Sequence, residues 1–110
     1  MSTSERINDL KDAMLSVTDS VYHRVAHKAK APYIVWAEEG AGSALRANGK
    51  TVEQPISGTV DLYEQTASEE RLFDAVQNAL NSIPCAWALN SIQTETETGL
   101  THYEWTWEVC

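Results

Sequence analysis

The chain has 110 residues, 43% hydrophobic and 22% charged, with 16 acidic side chains against 8 lysines and arginines and a formal charge of -8. That length suits one domain, residues 1–110, around one modest core, and the acidic balance argues against a surface built to neutralise the phosphates of DNA or RNA. No apolar run approaches the roughly 20 residues of a membrane-spanning helix, and the opening MSTSERINDL has neither the basic start nor the apolar core of a secretory leader, so synthesis in the cytoplasm is expected.

Ser2 followed by Glu5 has the spacing of a capping box, and Ile7, Leu10, Met14 and Val17 recur at helical intervals. A first helix is expected over about residues 4–16. A short extended piece at residues 21–24 leads into a basic segment, HRVAHKAK, that closes at Pro32. Residues 33–37, YIVWA, are apolar at every position, which predicts a strand buried on both faces or covered on its second face by another subunit. The following EEGAGSALRANGK shows no periodicity and reads as a loop.

Residues 51–65, TVEQPISGTVDLYEQ, form the longest run that reads as a single strand. Val52, Ile56, Val60 and Leu62 share one face, while Glu53, Pro55, Ser57, Thr59 and Asp61 share the other. Pro55 and Gly58 predict a bulge or an exposed edge in its first half. A second helix is expected from a cap at Ser68, with Leu72, Phe73, Val76, Ala79, Leu80 and Ile83 on its inner face and Pro84 as its stop. Residues 86–92 and 100–109 then make a hairpin through QTETETG, with Gly99 supplying a positive φ. In the last strand Thr101, Tyr103, Trp105, Trp107 and Val109 lie on one face, the largest block of core contacts or else an exposed platform.

These elements predict an α+β fold: a single, mostly antiparallel four-stranded sheet with both helices on one face. The expected spatial order is first, second, fourth, third. A parallel contact between the second and third strands through a right-handed crossover is the alternative.

Few residues carry chemistry. His23 and His27 are four apart but lack the glutamate of HExxH, and Cys85 and Cys110 have no further cysteine partners, so no metal site is expected and both cysteines read as free thiols. His102 and Glu104 read as a surface pair on a strand. Glu38 with Glu39, and Glu95 with Glu97, read as solubilising carboxylates. No phosphate-binding glycine loop and no GxSxG turn is present, so neither a cofactor nor a catalytic residue is expected.

Three stretches carry a family resemblance: PYIVW at residues 32–36, KTVEQPISGTVDLY at 50–63 and TGLTHYEWTWEV at 98–109. Together they resemble the small tail-completion proteins of tailed bacteriophages, in the tail-terminator and head-to-tail joining group. The resemblance implies a non-catalytic virion protein, made in the host bacterial cytoplasm, with a sheet flanked by helices. It implies assembly as a homo-oligomeric ring, often of six subunits, that caps the tail tube at its head-proximal end and helps join it to the head connector. Partners would then be further copies of the chain and the tail-tube and connector proteins. Contacts between subunits are expected on the polar face of the long strand and in the segment before it, at Glu38, Glu39, Arg46, Lys50, Thr59, Asp61 and Tyr63. HRVAHKAK and the terminal cysteine match no feature of that family. The competing reading is a small ligand-binding or regulatory α+β module without catalytic activity.

Overall fold

The computed structural model describes residues 2–41, 45–47, 50–69 and 71–109, with 45–47 and 50–53 described as backbone alone. Its elements in chain order are α1 (Thr3–Leu15), β1 (Val21–His23), β2 (Tyr33–Ala41), β3 (Leu45–Ala47), β4 (Lys50–Glu53), β5 (Ile56–Gln65), α2 (Phe73–Asn81), β6 (Ala86–Glu95) and β7 (Leu100–Val109). The fold is α+β, with two helices and a five-stranded mixed sheet in the order β1-β2-β5-β7-β6.

The start of α1 forms for the reason its sequence suggests. The Glu5 amide donates to Ser2 Oγ at 3.2 Å and the Ser2 amide donates to Glu5 Oε1 at 3.3 Å, satisfying two amides that the first turn would leave unpaired. Its stripe then buries Leu10, Ala13 and Met14. The second helix is shorter than expected and begins differently. Ser68 lies in a turn closed by its own amide to Gln65 O, at 3.0 Å, four residues ahead of Leu72, the residue that stands at the N-cap of α2. The carboxylate at the start of α2 comes instead from β5: Glu64, 1% exposed, accepts the Leu72 amide at 3.3 Å. An acceptor there satisfies an amide that the first turn would leave unpaired, and the strand supplies what the local sequence does not. The helix ends at Asn81, ahead of Pro84.

The four expected strands occur as β2, β5, β7 and β6, all antiparallel neighbours in the expected order. Two features of the prediction are corrected. A fifth strand, β1, pairs parallel with β2 through Val21↔Ile34 and His23↔Trp36, so the sheet is mixed. The stretch 51–65 is not one strand: it breaks at Gln54 and Pro55, where proline has no amide to give, into β4 and β5. Part of the expected loop 38–50 is likewise strand. β2 runs to Ala41, and β3 pairs antiparallel with β4 from Leu45↔Glu53 to Ala47↔Lys50 as a separate two-stranded sheet. The molecule measures 54 × 24 × 23 Å.

The core lies between the helices and one sheet face. Ile34, Trp36, Val60, Leu62, Trp105, Trp107 and Val109 from the sheet meet Leu10, Ala13 and Met14 of α1 and Val76, Ala79 and Leu80 of α2. Trp105 is fully buried and its Nε1 donates to Gln77 Oε1 at 3.2 Å, so the tryptophan stripe is core and not a platform. Residues 33–37 do alternate: Ile34 and Trp36 are buried, while Tyr33, Val35 and Ala37 are half-buried on the opposite, helix-free face. Gly99, at φ +70°, closes the β6–β7 turn with its amide on Glu95 O, as expected for that position.

Candidate functional site

Because both helices cover one face, the other is left to the residues of opposite parity. Strand register lines these up in rows: Tyr33, Tyr63, His102 and Gln93 in one; Val35, Asp61, Glu104 and Ser91 in the next; Ala37, Thr59, Thr106 and Ala88 in the third. The first row is an aromatic ladder across the sheet. Tyr22 of β1 meets Tyr33 edge-on with centroids 6.2 Å apart, Tyr33 stacks on Tyr63 at 4.8 Å, and Tyr63 stacks on His102 at 4.2 Å.

The second row holds the charge. His102 Nε2 lies 2.6 Å from Asp61 Oδ1, and Glu104 sits directly across from Asp61, held by a 2.7 Å hydrogen bond from Asn90 Nδ2. Burial pushes the Asp61 carboxyl above its usual range and the neighbouring Glu104 pushes the same way, against the opposing pull of His102. The Tyr63 phenol is pushed up to about 12, first by burial and then by the Asp61 charge. Ligand atoms of Asp61, His102 and Glu104 all lie within 4.8 Å of one another.

The residues expected at subunit contacts divide accordingly. Thr59, Asp61 and Tyr63 come together in the middle of the open face, although Thr59 is 7% exposed and closed in by its own sheet. Glu38 faces the helix side. Burial raises its pKa, but the 2.5 Å hydrogen bond to His23, its backbone and Arg24 outweigh that and hold it below the usual carboxylate value. His23 in turn stacks on Trp36 at 3.9 Å, so the first half of HRVAHKAK is tied to the sheet. Glu39 is exposed at an irregularity in β2. Arg46 and Lys50 lie on β3 and β4, and their side chains are outside the described residues.

Two features were not found by reading the sequence. His102 pairs with Asp61, its diagonal neighbour on the next strand, rather than with Glu104 two residues on along the same face. The second is the free edge. β6 has ten residues, pairs only with β7 among the described strands, and leaves Leu89 39% and Ile92 55% exposed. Its sequence, AWALNSIQTE, contains no lysine or proline, the usual guards of an edge, and only one irregularity between Leu89 and Ser91.

At the mouth of the third row, Ala41, Ser57, Ala88 and Thr106 line an open depression of about 620 Å³ that Trp87 and Glu108 border. Trp107 lines it as well, and it is open to solvent, unlike the enclosed apolar pocket that a small ligand fills. No helix among the described residues is long and apolar enough to cross a membrane. In comparison with known proteins, no family model matches this chain and no curated protein matches its sequence.

Proposed function

We propose that this chain is a structural subunit that assembles with copies of itself, and that the assembly is the ring completing a bacteriophage tail at its head-proximal end, where it helps join tail to head. The observation that carries the assembly is the edge of β6: ten residues of unguarded backbone with Leu89 and Ile92 turned to solvent. Unpaired strand backbone beside exposed aliphatic side chains is a template for another chain. The β3–β4 pair, a two-stranded sheet separate from the main one, gives each subunit a second element for such a contact. A contact between two different surfaces of the same chain closes into a ring when its rotation allows. The tail assignment rests on the resemblance in residues 32–36, 50–63 and 98–109, and with it come residence in the virion and contacts to tail-tube and connector proteins.

Negative-stain microscopy of the purified protein, alone and mixed with tails arrested before completion, tests the reading. Rings are expected at one end of those tails. Ile92→Lys should abolish them while leaving the unfolding free energy within about 0.5 kcal/mol of the parent's, since the side chain is already more than half exposed. Tails that stay bare, or rings unaffected by charge on β6, would overturn the tail role and the edge contact respectively. A monomer that saturates with a small molecule would favour the ligand-binding module instead.

A further inference from the structure

We propose that Asp61, His102 and Glu104 form a binding site for a divalent cation of the zinc, cobalt and manganese class on the open face of the sheet. The site goes beyond the assembly reading and does not depend on it.

Register alone sets two carboxylates directly opposite each other, Asp61 on β5 and Glu104 on β7. Like charges in that arrangement repel, and one imidazole can neutralise only one of them. Among the described residues neither carboxylate forms an ion pair with a lysine or arginine. A dication bound between them removes the repulsion that the strand pairing imposes.

The geometry is close to what such an ion needs. Ligand atoms around a four-coordinate zinc, at about 2.0–2.2 Å from the metal, stand roughly 3.3 Å apart. The three donors lie within 4.8 Å of one another, with His102 Nε2 and Asp61 Oδ1 now at 2.6 Å, so small side-chain rotations suffice. The donors are also held from behind. Tyr63 stacks on the His102 ring at an interplanar angle of 14°, fixing its orientation, and Asn90 Nδ2 fixes Glu104 through a 2.7 Å hydrogen bond. Such outer partners orient ligands and raise affinity. One imidazole nitrogen with two carboxylate oxygens suits zinc, cobalt or manganese better than calcium or magnesium, which favour oxygen alone. Three protein donors leave a coordination position on the helix-free side for water or for a donor brought by another molecule.

The test uses the full chain, freed of metal by chelator, in a Cys85→Ser, Cys110→Ser, His23→Asn, His27→Asn background that removes the other histidine and cysteine donors. Zinc and cobalt chlorides are titrated while thermal unfolding and the visible ligand-field absorption of cobalt are followed. One equivalent should bind, with a saturable rise in Tm and a cobalt spectrum showing nitrogen and oxygen ligation. His102→Asn should abolish both signals, and Asn90→Ala should weaken binding by about 10–100-fold. Glu104→Gln provides the same readout should His102→Asn fail to fold, since Glu104 is an ion-pair partner of neither histidine nor arginine here. Absence of a cobalt spectrum in the background protein, a response retained at full strength in the folded ligand variants, or equal stabilisation by calcium would overturn the site.

Discussion

Gly58 offers a test in which the sign of the effect is decided by geometry. It lies on β5 between Glu38 of β2 and Trp107 of β7. A Cβ built there would fall inside contact distance of the Ala37 carbonyl oxygen and stand 2.5 Å from Trp107 Cζ2 and 2.9 Å from the Ala37 carbonyl carbon. Two of these atoms are backbone of the neighbouring strand, and the third belongs to an indole that is 2% exposed. Neither can swing aside. With open space, Gly58→Ala would stabilise the protein by about 0.4–1 kcal/mol through the unfolded chain; overpacking of this kind costs about 1–3 kcal/mol. The net expectation is a loss of about 2 kcal/mol, at the upper end because β2 must shift beside its own irregularity between Glu38 and Gly40. At an m-value of about 1–3 kcal/mol/M, urea unfolding followed by tryptophan fluorescence should show a midpoint lower by roughly 1 M. Gly40→Ala is the internal comparison, because nothing lies within 4 Å of its Cβ position, and its midpoint should rise by a few tenths of 1 M, about 0.4–1 kcal/mol. A midpoint for Gly58→Ala equal to or above the parent's would refute the close approach of β2, β5 and β7 at this position.

Trp105→Ala removes a fully buried indole stacked on Phe73 at 5.4 Å and should cost about 3–5 kcal/mol in the same urea assay; unchanged resistance would move the tryptophan out of the core. Alkaline pH should weaken the fold through Tyr63. Its phenol ionises near 12 when folded against 10.0 for a free tyrosine, so its contribution is intact below pH 10 and is lost as pH rises from 10 towards 12. Tyr63→Phe should flatten the stability profile in that window, and a slope identical to the parent's would contradict the burial and the Asp61 field assigned to this ring.

Much of the fold was legible because periodicity reports burial. The capping box at Ser2 and Glu5, the helical stripe through Leu10 and Met14, the alternation of Trp105, Trp107 and Val109, and Gly99 at the turn each state a local preference that the structure keeps. The pairing of β3 with β4 shows that part of the segment 38–50 is strand, although its glycines, alanines and charges give no period-two alternation to report it. The start of α2 misled because Ser68 with Glu69 and Glu70 imitates a helix beginning, whereas the carboxylate that matters, Glu64, arrives from a strand.

The sequence by itself determined what each segment prefers and which face of it is apolar, since backbone sterics and side-chain burial act over a few residues. Only the tertiary structure decided which strands are neighbours and in what register. That choice set His102 beside Asp61, put Asp61 opposite Glu104, stacked Tyr63 between Tyr33 and His102, and left β6 at the edge. Asp61 and His102 are 41 positions apart in the chain, and no local preference links residues at that separation; packing of the two helices against one face selects the register, and the register builds the open face.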